Sequence, residues 1–401
     1  MAQAQLFKCD PASISFPSSS SQPEITCPET RHALDTAAQH LTQLRPVAFP
    51  TETVYGLGAL ALNASAASQI FSTKGRPADN PLIVHVSSHD MLRSLLSESF
   101  SVPKPYQVLM KRFWPGALTL LFPSDPRIVP SLITAGQSTV AIRMPSHPVA
   151  RALIAIANAP IAAPSANSSG KPSPTTAEHV YRDLGDKLPV ILDGGACGVG
   201  LESTVVDGLT EDNTLRVLRP GGVTVEDIEK VLAEEAGDGE TIPRVLVHRR
   251  DFQDAELEEA PTTPGMKYRH YSPSVPVTLL MTLSPPPEDV SSTDATSYLT
   301  SLQQAAAGAG SPTKIGLLFL SDSNFGKLPV PEDPHVHWLR YNLGPVGDPS
   351  TVARRLFDGL LTLEAQGADI ILIEEVREEN EGLAIMNRVR KAASKLQWIS
   401  A

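Results

Sequence analysis

The stretch STVAIRMPSHPVARALIAIANAPIAAPS, residues 138–165, decides the fold. TVAIRM has the β-branched, apolar character of a buried strand, and HPVARALIAIAN (147–158) repeats apolar residues at helical spacing. PIAAPS (160–165) returns to a short apolar strand, so strand, helix and strand follow one another as they do in α/β proteins. Working outward, VAFPT (47–51), LIVHV (82–86), ALTLLF (117–122), VILDG (190–194), STVVDG (203–208) and LRVLRP (215–220) read as further strands. ASAASQIFSTK (64–74), PYQVLMKRFW (105–114), TTAEHVYRDLG (175–185) and TVEDIEKVLAEEA (224–236) read as helices, with Thr224 or Ser146 serving as N-caps. The expectation is a mixed α/β domain of about seven or eight strands.

A composition break follows. Between Glu226 and Glu259 there are 12 acidic and 4 basic residues, and PTTPGMKYRHYSPSVP (261–276) then carries four prolines, the mark of a stiff, extended connector. Beyond it VTLLMT, KIGLLFL (314–320), VHWLRY and DIILIEE (369–375) alternate with helical stretches near 294–307, 350–366 and 383–396. A second, smaller α/β domain with a mostly parallel sheet is expected there.

With 401 residues the chain is long enough for two or three cores. No apolar run reaches the roughly 18 residues that span a bilayer, so no membrane association is expected. Cys9, Cys27 and Cys197 are too scattered for a disulfide framework or zinc knuckle and read as structural thiols in a reducing, cytoplasmic compartment. The first 28 residues, rich in Ser and Pro, read as a disordered leader with only a weak mitochondrial signal. The net charge of −11 argues against nucleic acid as a partner, yet residues 45–220 hold 15 basic and 13 acidic residues, so the motif-bearing region is mildly cationic.

Neither a P-loop nor a complete GxGxxG is present, so a nucleotide must be held in another way. Lys74 and Arg76, two apart before Pro77, suit either a helix C-terminus or a clamp on polyphosphate. His85 alternates with apolar neighbours and reads as a core histidine or a ligand-facing one. Arg143 interrupts an apolar strand with no acid near it in sequence, so an anionic ligand is its natural partner. PSANSSGKPSP places Ser165, Asn167, Ser168, Ser169, Lys171 and Ser173 directly after a strand, where α/β proteins bind ligands. ESTVVD sets Glu202, Ser203 and Thr204 at the start of another.

Taken together and in this order, PTETVYGLG (50–58), the KxR and SxN motifs, PGMKYRHYSP and EEVREENEGLAIMNRVRKAAS resemble the long, Sua5-type form of the Sua5/YrdC/YciO family. The resemblance implies a twisted mixed-sheet YrdC-like domain followed by a smaller Rossmann-like α/β domain. It divides the chain into a leader (1–28), a catalytic domain (29–236), an acidic segment with a proline-rich lid (237–276) and a C-terminal domain (277–401). It further implies synthesis of threonylcarbamoyl-adenylate from L-threonine, bicarbonate or CO₂, and ATP, for t6A at tRNA position 37. By that similarity Lys74, Arg76 and Arg143 are the catalytic residues, and Thr53, His85, Arg143 and Ser203 surround threonine. Lys74, Arg76, Asn80, Thr139, Ala163, Ser165, Asn167, Ser173, Arg219 and Tyr271 face ATP, whose Mg²⁺ rides on the phosphates without a protein-borne site. The product passes to a t6A transferase complex, and direct tRNA contact is weakly supported. The rival is a double-stranded RNA or tRNA-binding module without catalysis, against which stand the low aromatic content and the lack of a basic run. A carbamoyl transferase is a further rival, but the acylphosphatase-like and zinc-finger regions of such enzymes are not found in the sequence.

Overall fold

The computed structural model describes residues 3–17, 20–210, 212–237, 239, 241–254, 262, 270–307, 312–330, 332 and 334–400. Its chain forms two units, one holding 1–169 and 173–267, the other 170–172 and 268–401. In chain order the first contains β1 (Gln5–Lys8), β2 (Ile14–Ser15), β3 (Glu24–Ile25), α1 (Pro28–Thr42), β4 (Val47–Phe49), β5 (Gly56–Leu60), α2 (Ala64–Lys74), β6 (Val84–His85), α3 (His89–Arg93), α4 (Lys104–Phe113) and β7 (Leu118–Pro123). It continues with α5 (Ser131–Thr134), β8 (Thr139–Arg143), α6 (Pro148–Ala157), β9 (Ile161–Ala162), α7 (Ala177–Leu184), β10 (Val190–Asp193), β11 (Thr204–Asp207), β12 (Thr214–Arg219), α8 (Val225–Glu234) and β13 (Arg244–Val247).

Eleven of these strands form one mixed sheet in the order β1-β10-β4-β5-β9-β6-β8-β7-β11-β12-β13. Helices α1 and α6 pack beside each other, burying Leu34, Leu41, Leu153 and Ile154 with Phe49 and Leu192 of the sheet. Burial of such side chains stabilises by about 1.5–3 kcal/mol each. The mixed-sheet class expected from the sequence is found, with more strands than the expected seven or eight. Two elements missing from the expected set, helix α1 and strand β5, lacked a usual signal. The first residue of α1 is a proline and its N-cap is the Cys27 thiol, which accepts from Thr30 N at 3.5 Å in place of a hydroxyl or carboxylate. Strand β5, GLGAL, is glycine-rich, and packing explains why: a Cβ on Gly58 would stand 2.6 Å from the Phe49 ring and 2.7 Å from Ile161.

The leader is corrected. The described part of residues 1–28 is not disordered: β1 pairs in parallel with β10, matching Leu6 to Ile191, and Phe7 packs on the main core. The backbone ladder and that aromatic ring outweigh the polar composition. The first unit's sheet likewise runs past residue 236, because β13 pairs with β12. At the helix ends, Thr224 caps α8 in a capping box, whereas His147 and not Ser146 caps α6.

The second unit contains β14 (Val277–Met281), β15 (Thr293–Asp294), α9 (Ala295–Ala307), β16 (Thr313–Leu320), β17 (Val336–Gly344), α10 (Pro349–Ala365), β18 (Ile370–Glu374), α11 (Glu381–Ala392) and β19 (Lys395–Ser400). Its strands lie in the order β15-β19-β14-β18-β16-β17, and every pair is parallel. The last helix stops at Ala392, short of the expected 396, because Lys395–Ser400 pair with β14 and β15.

The row that positions the site runs across β6, β8 and β7. His85 is the register partner of Arg143, and Arg143 of Thr119, so the three occupy one line perpendicular to the strands.

Candidate functional site

Three loops of the first unit interlock through their backbones. Tyr55 N donates to Pro174 O at 2.8 Å, and Ala166 N to Tyr55 O at 2.8 Å. Val199 N donates to Glu52 O at 2.8 Å and Gly200 N to Thr53 O at 3.1 Å. The segments around 50–58, 163–169 with 173–175, and 197–204, far apart in sequence, are thereby one structure.

Arg143 ends β8 and is 4% exposed. Its Nε donates to Gly116 O at 3.0 Å, its Nη1 to Thr53 Oγ1 at 2.9 Å, and its Nη2 to Glu52 Oε1 at 2.5 Å. The sequence suggested no acid for this guanidinium; the fold supplies Glu52, 91 residues away. The other carboxylate oxygen accepts from Ser146 N at 3.1 Å and His147 N at 3.4 Å, at the start of α6, where the helix dipole favours negative charge. Glu52 is the member of this cluster that sequence reading passed over. Its one signal was an acid between two threonines in PTET.

His85 is buried, with Nδ1 3.2 Å from Ile83 O. Burial, and secondarily the charge of Arg143, push its pKa down to about 3. It is a neutral histidine at physiological pH and a weak base. Ser203 Oγ lies 2.7 Å from Thr119 Oγ1, which joins it to the Arg143 row. Thr53, His85, Arg143 and Ser203, expected around one ligand, are thus gathered.

The second group is organised by Lys74, the last residue of α2. Both expectations for it describe the same residue: it closes a helix, and its Nζ also reaches across to the Ser165 carbonyl and, at 2.5 Å, to the Asn167 carbonyl. Burial, reinforced by Arg76, lowers its pKa well below the ordinary lysine value, and Asp183 and Glu202 act in the opposite direction. Arg76 Nη2 donates to Asn80 O at 3.2 Å and Pro81 O at 3.0 Å. Ser173 Oγ donates to Glu202 Oε1 at 2.6 Å. The amide oxygen Asn80 Oδ1 and the hydroxyl Thr139 Oγ1 are buried without a partner among the described residues.

The remaining expected residues fall in different places. Ala163 N donates to Ile83 O at 3.0 Å, beside the His85 strand. Arg219, expected on the nucleotide side, donates through Nη2 to Ser203 O at 2.9 Å and so joins the Ser203 group. Thr139 and Arg143 are at opposite ends of β8, about 13 Å apart at strand rise. Tyr271 belongs to the second unit, where it is 1% exposed and its ring lies 5.3 Å from that of Phe357. Lys267, Tyr268 and Arg269 of the expected lid lie outside the described residues.

Buried cations and hydroxyls collected at the loops of a mixed sheet, followed by a parallel α/β unit, define the class as a two-unit α/β protein. Residues 39–221 match the Sua5/YciO/YrdC family model, described as "Telomere recombination", and residues 223–394 match "Threonylcarbamoyl-AMP synthase, C-terminal domain". The chain belongs to the Sua5/YciO/YrdC family, in its two-domain form.

Among its relatives, a threonylcarbamoyl-AMP synthase of Schizosaccharomyces pombe is 45% identical over 387 residues, covering 91% of this chain and 89% of that one. A threonylcarbamoyl-AMP synthase of Bacillus subtilis is 41% identical, covering 89% and 92%. The crystal structure of P. abyssi Sua5 complexed with L-threonine superposes with a TM-score of 0.73 at 40% identity, covering 91% of this chain and 95% of that one.

Proposed function

We propose that this chain is an L-threonylcarbamoyladenylate synthase, converting L-threonine, bicarbonate or CO₂, and ATP into threonylcarbamoyl-AMP and diphosphate. The observation that carries the reading is the Arg143 guanidinium, buried and bonded to Thr53, in one row with His85 and with the Thr119–Ser203 pair. A buried guanidinium beside hydroxyls suits an amino-acid carboxylate. The related P. abyssi Sua5 was solved with L-threonine.

In this reading Arg143, Thr53 and Ser203 hold threonine, while Lys74, Arg76, residues 163–169 and Ser173 face the triphosphate. The threonine ammonium gives up one proton to solvent, and its freed amine adds to CO₂, releasing a second proton to solvent as the carbamate forms. A carbamate oxygen attacks the α-phosphorus of ATP, the bond to the β-phosphate oxygen breaks, and diphosphate leaves with the electron pair. Positioning and charge neutralisation supply most of the rate. His85, with a pKa near 3, contributes shape and not proton transfer.

Mg²⁺ is proposed to come with ATP. Phosphate oxygens and water would hold the ion, as is usual for Mg²⁺. Carried on the phosphates, the ion would draw charge from them.

The product would feed a t6A transferase complex acting on tRNA. The three free cysteines, two of them buried, suit a reducing cytoplasmic compartment, with a mitochondrial pool as the other location considered. Among the described residues no helix is long and apolar enough to cross a membrane.

Incubation with ATP, L-threonine and labelled bicarbonate tests the assignment. Label should appear in an adenylate, matched by diphosphate, only when threonine is present. Equal labelling with serine or with no amino acid would overturn the substrate, and salt-steep tRNA binding without any adenylate would favour the RNA-binding rival.

A further inference from the structure

We infer that Glu52 is the residue that recognises the substrate's ammonium group, so that Glu52 and Arg143 form a preassembled receptor for a zwitterionic α-amino acid. The inference rests on the threonine reading above and deepens it. At neutral pH threonine presents a cation and an anion on adjacent atoms, and a site that binds it needs the complementary pair at similar spacing.

The hydrogen-bond count at these residues leaves room for both halves. Arg143 has five N–H donors. Three are engaged, by Gly116 O, Thr53 Oγ1 and Glu52 Oε1, which leaves two for a carboxylate. An ionised carboxylate accepts at about four lone-pair sites. Glu52 uses three, for Arg143 Nη2, Ser146 N and His147 N, and one remains.

Thr53 supplies a second acceptor. Thr51 Oγ1 donates to Val54 O at 2.6 Å, so in the 2.8 Å contact between the two hydroxyls Thr53 is the donor. Thr53 Oγ1 also accepts from Arg143 Nη1, and its second lone pair is open to an ammonium N–H. Glu52 and Thr53 are adjacent on one loop, which Gly200 N and Val199 N clamp through their carbonyls. Two acceptors for the ammonium therefore sit beside two donors for the carboxylate, on a rigid support. The Glu52 side chain keeps 14% exposure against 5% for Arg143, so it is the more accessible of the pair.

The test compares L-threonine with the 2,3-dihydroxybutanoic acid of matching configuration, which keeps the carboxylate and side-chain hydroxyl but has a hydroxyl where threonine has its amine. Affinities are measured calorimetrically on the full chain and on Glu52→Gln, at pH 7. The wild type should prefer threonine by at least about tenfold, because a carboxylate attracts an ammonium far more than a hydroxyl. In Glu52→Gln the preference should shrink to about threefold or less, mainly through weaker threonine binding.

Equal affinities in the wild type would overturn the inference while leaving threonine as a ligand. Equal losses for both ligands in Glu52→Gln would also overturn it, since they would mean that Glu52 only orients Arg143. If Glu52→Gln fails to fold, the wild-type comparison still decides, supported by Glu52→Asp, which should retain the preference. If the wild type binds neither ligand, the threonine reading fails with it.

Discussion

Lys74 Nζ donates to the carbonyl of Asn167 at 2.5 Å, across 93 residues of sequence. The same ammonium reaches Ser165 O, and Ser169 N returns a bond to Lys74 O at 2.8 Å. The KxR motif and the SxN motif are therefore one physical object, a helix end stitched to a loop. Neither can move without the other.

Lys74→Met should loosen that loop as well as remove a charge. Two buried carbonyls lose a donor, at about 1–3 kcal/mol each. We expect a lower melting temperature, faster amide hydrogen exchange over 163–169 in particular, and loss of ATP-dependent synthesis. Unchanged exchange there would show that the loop does not depend on the lysine.

Arg143→Lys and Arg76→Lys should separate the two substrates. Each keeps the charge and loses the planar fork, at about 1.5–3 kcal/mol for a hydrogen bond to a charged group, or roughly 10–150-fold. Steady-state kinetics should place the first defect mainly in threonine KM and the second mainly in ATP KM. Indistinguishable defects would count against the division. Arg143→Ala is the poorer probe, because it leaves Glu52 without its buried partner and should cost about 3–5 kcal/mol of stability.

The pH dependence of stability should carry the mark of His85. Its pKa is about 3 in the folded chain and 6.5 in the ordinary state, so between those values the unfolded chain binds the extra proton. The stabilisation is complete above pH 6.5 and is lost as pH falls toward 3, by up to ~4–5 kcal/mol. Denaturant titrations of wild type and His85→Gln across that range should differ in slope, the variant being flatter. Parallel curves would mean that His85 is not held neutral.

Deleting residues 1–9 should destabilise the first unit. The deletion removes β1 from β10 and takes Phe7 off the core, which we put at about 2–4 kcal/mol from one half-buried aromatic and four ladder positions. A denaturant midpoint equal to that of the full chain would restore the picture of a disordered leader.

Local pattern reached as far as local energetics allowed. Helices α2 and α8 were legible because apolar spacing, an N-cap and burial agree in both, and α6 by its apolar spacing and burial although its cap is His147. Strand β5 and helix α1 were not, because one is glycine-rich to clear Phe49 and Ile161, and the other is capped by a cysteine thiol. The leader was misread because polar composition was weighed without the strand partner that only folding provides.

By itself the sequence determined the α/β class, the division into two units, and the residue types able to hold a carboxylate and a triphosphate. Tertiary structure alone decided the pairings. Arg143, for which no acid lies nearby in the chain, meets Glu52 because β8 ends where the 50–58 loop crosses it. Arg219 joins Ser203 because β12 runs antiparallel to β11. Periodicity reports which face of an element is buried, an energy summed over near neighbours in the chain. The partner of a single buried charge is fixed by contacts between distant segments, and those exist only once the sheet has formed.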